Sequence, residues 1–367
     1  MKRFFVGLTL ATCLVSPAFA KTPPEVLKPY KQYRAAFEAG DAALAAQYAY
    51  EAWQKAEELM GDSKTTGDLA QNFADIKSKK YRKAQYEAYD RSMELVAGYG
   101  DQAGDIFIQR GVAKATLYAF DEKFSDSYKA AKNVVKYADE NALTETTLYG
   151  EAMTLMSQYH ARKGNHRQTK KYAKGALAAF EAASDDIVSA YPILANLYAG
   201  YGMEAEDETV EAALSYQKVM EAIDGVAPED HPIAARALGR WSHMRSRLKD
   251  EGKLAEAEQQ GLCKCWPYDK DRNESLKPVK REAPKMPRKA YTSGYSIVQF
   301  DLDDAGKPTN TQILVSWPKD IYDSSSLKAI EKWQYTPRTA DETDSDREDL
   351  IVTLRYMLTD NNGDMIF

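Results

Sequence analysis

Between Pro24 and about Gly261 the apolar residues recur at helical spacing. Leu148, Met153, Leu155, Met156 and Tyr159 form one such stripe, and Ile193, Leu194, Leu197, Tyr198 and Tyr201 form another. A stripe of that period lies along one side of an α-helix, and nothing in this region alternates apolar and polar as a half-buried strand would. The pattern therefore predicts helices throughout. Turn signals interrupt it at Gly40-Asp41, Gly61-Asp62, Gly98 to Gly100, Glu122-Lys123, Gly164-Asn165, Gly202, Gly225 to Pro228 and Gly252. Segments of roughly 15 to 20 residues between such breaks predict about five or six helical hairpins with a repeat near 40 residues.

Two stretches carry the repeat most clearly: Phe37 to Leu59 (FEAGDAALAAQYAYEAWQKAEEL) and Tyr159 to Ala183 (YHARKGNHRQTKKYAKGALAAFEAA). Each has an aromatic, a Gly turn, then a helix with small Ala residues where it must press on its partner. In this they resemble tetratricopeptide repeats. The resemblance implies a solenoid whose many Tyr residues serve packing, with a concave surface for a peptide partner as the sharper reading.

From residue 263 to 290 the composition changes. Pro267, Pro278, Pro284 and Pro287 punctuate a run that holds nine Lys or Arg against four Asp or Glu, which reads as a basic extended linker. Beyond it the period becomes two. In GYSIVQFDL the side chains of Ser296, Val298, Phe300 and Leu302 fall on one face, and Gln299 and Asp301 on the other. A turn at Asp303 to Lys307 leads to TNTQILV, with Thr311, Ile313 and Val315 expected on a common face. Next, Asp323 or Ser324 can cap a short helix lined by Leu327, Ile330 and Trp333, which Pro337 ends. LIVTLRYML then places Leu350, Val352, Leu354, Tyr356 and Leu358 on one face. Strand, strand, helix, strand predicts a helix on a three-stranded antiparallel sheet. The expected class is α+β overall: an all-α helical-hairpin solenoid over 21–262, the linker at 263–290, a small α+β domain at 291–360 and a polar tail at 361–367.

The run from Ser293 to Arg338 resembles the C-terminal domain of the TonB energy-transducer family. The family's opening Gly, Asp-x-x-Gly turn, Pro-containing loop and Lys/Arg-Trp-aromatic-x-Pro ending stand here as Gly294, Asp303 with Gly306, Pro318, and Lys332-Trp333 through Tyr335 to Pro337. Met286 to Ala290 stands where the family has Tyr-Pro-x-x-Ala. The resemblance implies structural roles for Gly294, Gly306, Trp333, Tyr335 and Pro337, with the Trp and Tyr anchoring the helix on the sheet. It also implies binding rather than catalysis, by addition of a partner strand to a sheet edge. The corresponding edge is Asp349 to Leu358. Asp349, Leu350, Ile351, Val352, Thr353, Leu354, Arg355 and Tyr356 are then the implied partner-binding residues, with Tyr291 at the position that follows the Tyr-Pro-x-x-Ala stretch. The acidic run Asp341 to Asp349 reads as a solvated loop, or alternatively as a guard for that edge.

The N-terminus bears on where such a domain works. Lys2 and Arg3, the twelve-residue apolar run Phe4 to Val15, Pro17 and Ala18-Phe19-Ala20 have the anatomy of a secretory signal cleaved after Ala20. The run is short of the roughly 20 residues of a spanning helix, so no transmembrane span is expected in the mature chain. Without Lys2 and Arg3, 47 basic residues face 55 acidic ones, a net charge of −8 that argues against nucleic acid as partner. Two cysteines remain, Cys263 and Cys265. They are read as a possible disulfide, with free thiols and a redox or metal role as the other readings, and they cannot staple a chain of this size.

Candidate chemistry adds little. His160, His166, His231 and His243 have no ligand spacing, and His231 reads as a turn residue before a helix. The Asp301 to Gly306 stretch opens like a calcium loop, but Ala305 and Gln312 occupy two ligand positions. No phosphate-binding loop, nucleophile elbow or zinc-protease motif occurs. No enzyme activity, cofactor or metal is expected. The expectation is a periplasmic adaptor whose array holds a peptide or protein partner. Its C-terminal domain would dock on envelope proteins such as TonB-dependent receptors or another TonB-type protein. A true energy transducer needs an uncleaved N-terminal helix and a long Pro-rich spacer, so an inner-membrane-anchored transport component is the alternative.

Overall fold

The computed structural model describes residues 22–76, 78–183, 188–223, 231–263, 276 and 278–359. Its first part is helical: α1 (Pro24–Glu38), α2 (Ala42–Met60), α3 (Lys64–Ala74), α4 (Arg82–Glu94), α5 (Ala103–Phe120), α6 (Phe124–Glu140), α7 (Thr147–Arg162), α8 (His166–Ala182), α9 (Tyr191–Ala205), α10 (Thr209–Glu221), α11 (Pro232–Asp250) and α12 (Leu254–Gln259). Then follow β1 (Pro278–Lys280), β2 (Gly294–Leu302), β3 (Pro308–Trp317), α13 (Asp323–Ile330), β4 (Gln334–Tyr335) and β5 (Leu350–Tyr356). The fold is α+β, helical hairpins followed by a small antiparallel sheet.

The turn chemistry explains most helix boundaries. Gly40 has φ +74°, and Asp41 after it caps α2 by accepting from the Leu44 N–H at 3.0 Å. Ser63 caps α3 in the same way, accepting from Thr66 N–H at 3.1 Å. One expected break is absent. Gly202 lies inside α9, where an added Cβ would sit 2.7 Å from the Lys170 backbone nitrogen on α8; the glycine permits close helix approach, and the turn comes instead at Asp207, φ +60°. The break expected at Gly225 to Pro228 lies outside the described residues, as do the signal at 1–20 and the tail at 361–367.

The chain divides into two compact units. One runs to Met156 and includes Ala178–Ala190; the other comprises Ser157–Leu177 and the chain after Tyr191. In the first, Ala45, Ala49, Ala52 and Ala56 on α2 let Trp53, Phe73 and Tyr89 pack between close helices. In the second, Leu197, Tyr216, Trp241, Met244 and Leu248 join α9, α10 and α11 in one core.

The sheet of the second unit has the order β3-β2-β5, antiparallel throughout. One face carries Val298, Phe300, Leu302, Leu350, Leu354 and Tyr356 against Ile330, Trp333 and Tyr335. The other face, expected to be polar, is covered as well: Tyr295, Ile297 and Val315 pack on Leu238 of α11. Gly239 makes that approach possible, because a Cβ there would meet the Tyr295 ring at 2.3 Å. The expectation that Ile313 and Val315 share a face fails at a bulge. Val298 pairs with Ile313 but the preceding Ile297 pairs with Val315, so Leu314 is the extra residue and the two flanking side chains serve opposite faces.

Two further expectations are corrected. Neither Asp323 nor Ser324 is the N-cap of α13; that position is Tyr322, with no side-chain cap bond, and Asp323 is the first helical residue. The segment assigned to the linker contributes to the domain. Pro278 of β1 pairs with Tyr335 of β4, Trp333 Nε1 donates to the Glu282 carbonyl at 2.9 Å, and the Arg281 guanidinium lies 4.9 Å from the Trp333 ring centre. A Pro-rich basic sequence looks like a spacer until its partner aromatics are known.

Candidate protein-binding edge

β5 is, with β3, one of the two terminal strands of the sheet among the described residues, and it pairs on one side with β2 from Gly294↔Tyr356 to Phe300↔Leu350. Its side chains divide by parity. Leu350, Val352, Leu354 and Tyr356 face the α13 side, where Tyr356 stacks on Tyr322 at 4.1 Å between ring centres and shares a 2.7 Å hydrogen bond with Ser326. Ile351 packs with the cluster on α11, Thr353 shares a 2.7 Å hydrogen bond with Ser242, and Arg355 pairs with Glu204 of α9 at 2.6 Å. Asp349, just before the strand, has φ +54°; its N–H donates to Asp301 at 2.7 Å and its carboxylate accepts from Gln299. The implied binding residues are therefore one strand, but their side chains hold the sheet between two helices. Just beyond the strand, Met357 is exposed.

Glu204 is the electrostatic centre beneath β5. One oxygen pairs with Arg355, and the other accepts from Arg240 at 2.8 Å and from the Tyr216 hydroxyl at 2.7 Å. Burial would raise this carboxyl, but the guanidinium groups of Arg240 and Arg355 outweigh it and hold the pKa at about 2. Burial, with Arg355 next in weight, lowers nearby His243 to about 4, so it is neutral at pH 7. Of these residues Arg355 and His243 had been noted in the sequence for other reasons, and Glu204, Arg240 and Tyr216 were missed. No local spacing announces them, because Glu204, Tyr216 and Arg240 come from α9, α10 and α11.

The other site residues are placed as follows. Gly294 opens β2 where a Cβ would strike the Trp317 carbonyl at 2.1 Å. Gly306 has φ +79°, an added Cβ there would meet the Tyr335 carbonyl at 2.3 Å, and the Gly306 carbonyl accepts from the Tyr335 N–H at 2.8 Å. Trp333 and Tyr335 are buried, and Pro337 is exposed in the loop after β4. Tyr291 is 64% exposed and lies outside β5. The acidic run is not simply solvated: Arg347 and Glu342 are buried and paired at 2.5 Å, and Arg347 also donates to the carbonyls of Asp303 and Thr336, which ties the loop to the hairpin turn. Cys263 is disulfide-bonded, and Cys265 lies outside the described residues.

Residues 282–358 match the family of the Gram-negative bacterial TonB protein C-terminal domain. This TonB C-terminal domain takes in β2, β3, α13, β4 and β5, and the helical array lies outside the match. Its hairpin turn at Gly306, buried Trp333 and terminal β5 all lie inside the matched residues. Among solved structures, the chain is similar to the crystal structure of BtubC (BKLC) from P. vanneervenii, with 16% identity and a TM-score of 0.44 over 69% of this chain and 98% of that one. It is also similar to the assembly chaperone of RpL4 (Acl4), residues 1–338, with 11% identity and a TM-score of 0.34 over 63% and 99%. No curated protein matches the chain.

Proposed function

We propose that this protein is a non-catalytic binding adaptor of the bacterial envelope, working in the periplasm. Its TonB C-terminal domain takes up an extended segment of a partner by strand addition along β5, and its tetratricopeptide-like array holds a second, peptide-bearing partner. TonB-dependent receptors of the outer membrane, or another TonB-type protein, are the partner class for β5. The observation that carries this reading is the match of 282–358 to the TonB family together with the terminal position of β5 in that domain. Backbone groups would supply most of the affinity, because the β5 side chains are engaged inside the fold. Among the described residues no helix is long and apolar enough to cross a membrane. The full chain, immobilised and exposed to solubilised envelope of its own cells, is expected to enrich an envelope protein. Enrichment of cytosolic proteins alone would count against the reading.

A further inference from the structure

At the C-terminal end of β5, beside the start of β2, a cleft of about 50 Å³ opens between α9, α11 and the sheet. Its walls include Arg236 and Arg240 of α11, Arg355 of β5, Tyr201 and Trp317. Among the described residues, the only carboxylate bonded to these cations is Glu204, which serves Arg240 and Arg355 together. Arg236 forms no ion pair among the described residues. Its guanidinium lies 4.7 Å from the Trp317 ring centre, and its Nε is removed from solvent with no hydrogen-bond acceptor. Two like charges one helical turn apart, at 236 and 240, cost stability, as does a buried donor without an acceptor. The fold keeps both around a void large enough for a small planar group.

We propose that this cleft is a carboxylate-binding subsite, and that it takes an acidic side chain of the segment that pairs with β5. The inference rests on strand addition at β5 and adds the chemistry of the partner to it. The planar fork of Arg236 suits a bidentate carboxylate, with Trp317 holding the guanidinium plane and Arg240 and Arg355 supplying excess positive potential. Arg355 and Met357 place the subsite at the end of the strand, so the acidic residue belongs at one end of the bound segment.

The test uses the full chain and two acetylated, amidated pentapeptides, Thr-Val-Thr-Val-Glu and its Gln counterpart, at fixed ionic strength. Nitrogen-15 NMR follows the Arg236 Nε–H resonance, assigned by its loss in R236Q, and the backbone amides of Val352 and Leu354. The Glu peptide is expected to move all three and to bind about ten-fold more tightly than the Gln peptide, the weight of one charge-assisted bidentate contact. That preference should vanish in R236Q and weaken in R236K, which keeps the charge and loses the fork. Equal affinity for the two peptides, or an equal Arg236 shift with inorganic phosphate, would overturn the carboxylate assignment. Movement of the β5 amides without Arg236 would overturn the subsite and leave strand addition standing. Movement of Arg236 alone would keep the subsite and remove strand addition. Movement of neither would overturn both.

Discussion

Replacing Glu204 by Gln tests how the sheet is held on the helices beneath it. Glu204 is the shared acceptor of Arg240, Arg355 and Tyr216, and its side chain is 12% exposed. Lowering its pKa from the ordinary 4.5 to about 2 corresponds to about 3 kcal/mol of preferential stabilisation of the carboxylate in the folded chain. Removing one member of a buried ion pair has a similar cost, about 3 to 5 kcal/mol. Because the folded pKa lies below the unfolded one, the stabilisation is complete above pH 4.5 and is lost as the pH falls toward 2. The wild type should therefore exceed E204Q by about 3 kcal/mol at pH 7, with the gap closing at low pH. Urea unfolding followed by tryptophan fluorescence measures this, in a W53F background that removes the tryptophan of the other unit. A double-mutant cycle with R355A should return a coupling of about 1 to 3 kcal/mol. A gap below about 0.5 kcal/mol at pH 7, or one independent of pH, would refute the reasoning.

Other perturbations probe the remaining contacts. G239A drives a methyl into the Tyr295 ring and should cost about 1 to 3 kcal/mol, read as a lower midpoint in thermal unfolding. W333A removes a buried aromatic and its bond to the Glu282 carbonyl, and should cost about 3 to 5 kcal/mol in urea unfolding. N-terminal sequencing of the protein from its native envelope should begin at Lys21; a membrane-bound chain that retains Met1 to Ala20 would restore the anchored alternative.

Much of this architecture was legible in the sequence, and the failures have physical reasons. Helical periodicity and Gly turns report local energetics, so most hairpins of the first 260 residues could be placed. Gly202 misled because a glycine that opens a turn and one that admits a neighbouring helix look alike without the neighbour. Period two found all three main strands, but it cannot register the bulge at Leu314, which exchanges faces midway along β3. The second buried face escaped notice because only Gln299 and Asp301 were read on it, whereas Tyr295 and Ile297 share that parity and are covered by α11, which lies some 55 residues earlier. The Glu204 cluster draws on α9, α11 and β5, and a charge network between distant segments leaves no local spacing to read.

The most direct test of the central claim is photocrosslinking in living cells from Met357, which is exposed at the end of β5, with Phe120 on the other unit as the control position. A benzophenone amino acid at 357 is predicted to capture an envelope protein through an extended segment, in an adduct that is absent from position 120. Adducts of the same proteins from both positions, or none from 357 while the chain is folded and exported, would contradict strand addition at β5.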